Sequence, residues 1–151
     1  MNASEPGTTP HPDGPDTAAE VVLERTVEWY DTDASGHQHH SAVLRWVEAA
    51  EAELLRRRGL DGLFGRTPRV RHEVDYRSRL WFGETVRTRL RVARIGRTSL
   101  TYAFDVHGRE GLAARGTLTI AHAAPDSPSA TPWPREVREL LAPRETAEVT
   151  G

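Results

Sequence analysis

The chain has 151 residues, enough for one domain with its own core and too few for a second module of similar size. Its 20 basic and 22 acidic residues leave a net charge of −2, which gives no bulk attraction to nucleic acid or to an anionic membrane, and no apolar run is long enough to cross a bilayer. Cysteine is absent, which excludes disulfides and thiolate chemistry.

Every basic residue is Arg, and Ala, Gly and Pro are abundant, a pattern that reads as GC-rich coding rather than as phosphate recognition. Residues 1–18 are rich in Pro, Gly, Ser, Thr and Asp. They hold too little apolar surface to offset the entropy of ordering, so a disordered tail is expected there. They also lack the basic region and apolar core of a secretory signal, which makes a cytoplasmic location the expectation. The domain is expected over residues 19–142, with a second disordered tail at 143–151.

From Ala19 the pattern changes. Val21, Leu23, Thr26, Val27 and Trp29 are β-branched, apolar or aromatic with partial alternation, which predicts a strand ending near Tyr30. The DTDASG segment at residues 31–36 then holds turn formers, and Gly36 admits positive φ. From His40 to Arg58, apolar residues recur every three or four positions at Val43, Trp46, Val47, Ala50, Leu54 and Leu55, with no Pro or Gly before Gly59. This is one amphipathic helix of about 19 residues, roughly 30 Å long. Glu53 and Arg57 are spaced to pair, and Arg56 to Arg58 suit the negative end of the helix dipole, so that run reads as a solvated helix end.

Beyond Pro68, residues 70–80, 84–95, 98–107 and 112–122 alternate apolar with polar types and are separated by short turn-forming segments. Four such strands in succession predict an antiparallel meander. Residues 125–134 read as a loop and 135–141 as a short helix. The expected fold class is α+β, an antiparallel five-stranded sheet wrapped around one long helix. Its open edges and uncovered face favour self-association.

The chemistry concentrates in WYDTDASGHQHHSAVLRW, residues 29–46. Asp31 and Asp33 sit in a turn just before a helix N-terminus, where unpaired backbone N–H groups can polarise a carbonyl oxygen. A carboxylate beside an oxyanion site is the minimum equipment for acyl transfer. The same residues also fit an N-cap or turn carboxylate. His37, His39 and His40 lack the one-turn spacing of helical metal sites, so no metal and no cofactor is expected.

DTDAxGH followed by LRWxExAxxELLRRxGL resembles the hotdog-fold acyl thioesterases of the 4-hydroxybenzoyl-CoA thioesterase type. VDYRSRLWFGETVRTRLRVARIGRTSLTYAFDV and LAARGTLTIAHA resemble their later strands, and the resemblance spans roughly residues 20–142. It implies a hotdog fold, a homodimer or homotetramer with active sites between subunits, and an acyl-CoA or acyl-carrier-protein substrate. It places Asp33 on the catalytic carboxylate, which attacks directly or deprotonates water, and the backbone N–H of His40 on the donor to the thioester carbonyl. The His40 side chain aligns with a residue suspected of assisting. Gly36 falls on the glycine of the close turn, and Asp31 on a structural acid.

His37, Gln38, His39 and Val43 would line the acyl pocket, where a small Val43 would leave room for a bulkier or longer acyl chain. Ser99 either belongs to a strand turn with Gly96 and Arg97 at its tip or touches the pantetheine or nucleotide of the carrier. Arg69, Arg71 and Arg97 are candidate phosphate partners by charge alone and otherwise strand-edge arginines. Glu48 is read as a structural group and Glu51 as surface. The expected activity is thioester hydrolysis, with a polyketide or fatty-acid-like biosynthetic setting. A hotdog dehydratase or cyclase and a non-catalytic acyl-binding protein are the alternatives.

Overall fold

The computed structural model describes residues 19–143. Apart from Pro143, the two expected tails lie outside the described residues. Five strands, β1 (Glu20–Thr26), β2 (Arg69–Tyr76), β3 (Thr85–Ile95), β4 (Ser99–Gly108) and β5 (Gly111–Ala121), form one antiparallel sheet. The long helix α1 (His40–Arg57) packs mainly on β1 and β3, and a short helix α2 (Arg135–Leu141) closes the described chain. This is the expected α+β hotdog arrangement. Among the described residues no helix is long and apolar enough to cross a membrane.

The core follows from two periods meeting. On β3 the buried set is Val86, Thr88, Leu90 and Val92, and on β4 it is Leu100, Tyr102, Phe104 and Val106, each at every second residue. On α1 the buried stripe is Ala42, Val43, Trp46, Val47, Ala50, Glu51, Leu54 and Leu55, at helical spacing. The helix stops in a Schellman motif: Gly59 has φ 70°, its N–H donates to Arg56 O at 3.0 Å, and Leu60 N–H donates to Leu55 O at 2.8 Å.

Three expectations need correction. The first strand stops at Thr26, short of Tyr30, because residues 28–31 cap each other. Glu28 N–H donates to the Asp31 carboxylate at 2.9 Å while the Glu28 side chain answers the Asp31 backbone, which closes a 3-10 turn over Trp29–Asp31. The strand expected to reach Leu80 stops at Tyr76, where Arg77 and Ser78 both turn their N–H groups onto Ala113 O, at 2.7 and 3.2 Å. The four later strands are also not a simple meander. The sheet order is β1-β3-β4-β5-β2, so β2 pairs with β5 at the far edge and residues 77–84 cross the end of the sheet to reach β3.

Glu84 fastens that crossover. Its buried carboxylate accepts from Trp81 N at 2.9 Å and from Arg109 N at 2.6 Å, joining the crossing segment to the β4–β5 hairpin. Alternation is blind to which alternating strands pair, and the order is set by this long-range packing instead.

Candidate active site

The DTDASG turn is a tight reversal. Asp33 N–H donates to His37 O and Gly36 N–H to Asp33 O, both at 3.0 Å, and Thr32 bridges Gln38 across the loop. Gly36 completes it at φ 84°, a left-handed geometry that side chains with a Cβ rarely adopt. A Cβ there would only graze Trp81, so backbone conformation, not crowding, calls for glycine.

Asp31 and Asp33 have different tasks despite their spacing. Asp31 is buried: one carboxylate oxygen accepts from Glu28 N, the other takes Arg45 Nη2 at 2.7 Å, and its carbonyl accepts from His39 N at 2.7 Å. It ties the turn to the helix. Asp33 Oδ1 accepts from Ser35 N at 2.7 Å. The Ser35 hydroxyl also interacts with the carboxylate. The Ser35 N–H holds the Asp33 carboxyl below its ordinary value, desolvation opposes the shift, and His37 and His39 add to the lowering.

The helix N-terminus is capped by a histidine. His39 Nδ1 accepts from Ser41 N at 3.2 Å and lies 2.8 Å from Ser41 Oγ, and Ala42 N donates to His39 O. The His40 N–H, the first in the helix, donates to no acceptor among the described residues. Tyr76 Oη donates to His40 O at 2.7 Å, so β2 holds the first helical turn in place.

Asp33, His37, Gln38 and His40 meet Tyr76, Arg77, Ser78 and Arg79 around an open cleft of about 410 Å³. Of the residues singled out from sequence, the structure therefore brings Asp33, His37, Gln38 and His40 together. Gly36 and His39 shape the turn and the cap without lining the cleft. Val43 is fully buried in the core, and Ser99 begins β4 at the opposite end of the sheet, where its carbonyl accepts from Trp133 Nε1 at 3.0 Å; neither lines the cleft. Arg69 and Arg71 are engaged by Glu51 and Glu73, and Arg97 is outside the cleft, its carbonyl accepting from Trp133 N. Glu51 is buried and Glu48 exposed, the reverse of the expectation, because Glu51 continues the apolar stripe four residues after Val47. Among the described residues no cluster of His, Asp or Glu is arranged to hold a metal ion.

Sequence reading missed the far wall, residues 76–79. Its one local signal is a polar run, YRSR, at the end of an otherwise alternating strand. Gln38 fixes that wall: its N–H donates to Leu80 O at 2.8 Å, its Oε1 accepts from Leu80 N at 2.6 Å, and its Nε2 donates to Ser78 O at 3.3 Å. Replacing Gln38 with Leu strands the buried Leu80 N–H and is expected to cost about 1–3 kcal/mol. Urea unfolding of the variant would show this as a lower midpoint with unchanged slope.

Residues 27–141 match the model of the thioesterase-like superfamily. The 1,4-dihydroxy-2-naphthoyl-CoA hydrolase of Synechococcus sp. (strain CC9605) is 35% identical over 120 residues, covering 72% of this chain and 79% of that one. Among solved structures, a predicted thioesterase from Bacillus stearothermophilus superposes with a TM-score of 0.75 at 28% identity, covering 81% of this chain and 93% of its own. A thioesterase from Thermus thermophilus complexed with coenzyme A and Zn gives a TM-score of 0.74 at 25% identity, covering 82% and 92%.

Proposed function

The chain belongs to the thioesterase-like superfamily, and from that premise we propose that it hydrolyses an acyl thioester of coenzyme A or of an acyl carrier protein to free acid and thiol. The observation that carries this reading is a carboxylate in the same cleft as the start of a helix: Asp33 and His40 both line it, and among the described residues the His40 N–H has no hydrogen-bond partner.

In this reading the thioester carbonyl oxygen sits against the His40 N–H, aided by the helix dipole. The Asp33 carboxylate attacks the carbonyl carbon, and the tetrahedral oxyanion collapses with cleavage of the C–S bond. The products are a mixed anhydride on Asp33 and a thiolate, which takes a proton from the cleft, where the imidazoles of His37 and His40 are at hand. Water then hydrolyses the anhydride. A carboxylate held below its usual range stays anionic at neutral pH, as direct attack requires.

Exposed Trp29, Tyr30, Trp81 and Phe82 lie on the turn and crossover that frame the cleft. So much apolar surface supports action as a homodimer or homotetramer with the site completed by a second copy. The Thermus relative crystallised with coenzyme A supports that carrier. A cytoplasmic location and a biosynthetic role of polyketide or fatty-acid type belong to the same proposal.

The test is free-thiol release from matched acyl-CoA, acyl-pantetheine and acyl-carrier-protein thioesters. Turnover of any of these supports hydrolysis, and the preferred carrier identifies the physiological class. Binding without turnover across the whole panel overturns it in favour of an acyl-binding role.

A further inference from the structure

The cleft that Asp33 lines is also lined by two arginines, Arg77 and Arg79, both exposed. Among the described residues neither is paired with a carboxylate, whereas Arg45, Arg69, Arg71, Arg87 and Arg89 each face one. The backbone that presents them is fixed on both sides. Arg77 N and Ser78 N donate to Ala113 O, Ser78 Oγ donates to Leu112 O at 3.1 Å, and Gln38 grips Ser78 O and both polar groups of the Leu80 backbone. Two unpaired cations on a pinned backbone beside one anion make a cleft of net positive charge, suited to an anionic ligand.

We infer that Arg77 and Arg79 form a clamp for an anionic group on the acyl portion of the substrate, so that the preferred thioester carries a carboxylate at the far end of its acyl chain. This rests on the thioesterase reading above. Distance decides between the two possible sources of the anion. Arg77 and Arg79 line the same cleft as Asp33, so a group bound by them lies close to the reacting carbonyl. The first phosphate of a pantetheine arm is separated from the sulfur by roughly a dozen bonds of about 1.5 Å, which puts it on the order of 15 Å away when extended. A carboxylate a few methylenes beyond the thioester falls within the cleft, and the carrier phosphate falls outside it. The two arginines also offset the repulsion that such a substrate would meet from the Asp33 carboxylate.

The test uses the full chain and matched thioesters on uncharged pantetheine, adipyl against hexanoyl, with hexanoyl-CoA to report the carrier phosphates. Wild type is expected to prefer adipyl- over hexanoyl-pantetheine by about tenfold or more in kcat/KM, as for a charge-assisted pair in a partly desolvated site. In Arg77→Gln/Arg79→Gln, with its urea midpoint held, that ratio falls toward one. An unchanged ratio, or no adipyl preference in wild type, overturns the inference. A loss confined to hexanoyl-CoA relative to hexanoyl-pantetheine also overturns it, by moving the clamp onto the carrier phosphates.

If no thioester turns over, the hydrolase reading fails separately and the clamp is still read by calorimetry with the adipyl-pantetheine thioether. Binding by wild type that weakens at least tenfold in the double variant supports the clamp, and equal binding or none overturns it.

Discussion

Replacing Asp33 with Asn lowers kcat/KM for the best thioester by roughly 10⁴-fold or more while leaving the fold intact. Asn keeps the shape of the turn and can still accept from Ser35 N through its amide oxygen, so the reversal closed by Asp33, Gly36 and His37 survives. What it loses is the anionic oxygen. Free-thiol release by wild type and variant measures the effect directly, and an equal rate would remove Asp33 from the mechanism.

The pH profile separates this role from that of a tuned base. Because the Ser35 N–H holds the Asp33 carboxyl below its ordinary value, the carboxylate is already ionised throughout the neutral and mildly acidic range. Asp33 therefore contributes no acid limb above about pH 4. An acid limb between about pH 5 and 7 that disappears in Asp33→Asn would contradict a low-pKa carboxylate. The same shift has a consequence for folding. A depressed folded-state pKa favours the native state above the unfolded value, and that contribution is lost as pH falls through the folded one.

Local chemistry made half of this site legible in the sequence. The DTDASG turn, its glycine and the start of α1 follow from side-chain hydrogen bonding, positive φ and apolar periodicity, all short-range effects, and together they place Asp33 beside a helix N-terminus. The other half comes from chain far away in sequence. Residues 76–79 form the far wall only because β2 leaves its expected place beside β3 and pairs with β5, and alternation reads the same in either arrangement. The end of β1 was obscured for another reason. Trp29 and Tyr30 have strand-like side chains, yet the reciprocal cap between Glu28 and Asp31 takes the backbone out of the sheet. Glu51 was open to a better reading, since it lies four residues after Val47 and four before Leu55, on the stripe that the helix buries.

That buried acid leads to the largest expected effect on stability. Replacing Arg69 with Met costs about 3 kcal/mol, because both guanidinium donors to the Glu51 carboxylate disappear and the acid is left under the sheet. The figure sits at the low end for a broken buried pair, since the Arg69 side chain is 34% exposed while that of Glu51 is 6% exposed, and water can reach one partner. Glu51→Gln is expected to cost less: it removes the buried charge, and the Arg69 left behind keeps solvent and the Glu48 carboxylate at 3.6 Å.

The asymmetry is the test of which partner bears the desolvation. Urea unfolding of both single variants and the double variant measures it. The Arg69→Met deficit should shrink when Glu51→Gln is added. A deficit unrelieved by the second substitution would mean that Arg69 stabilises β2 through packing of its aliphatic stem, with the ion pair contributing little.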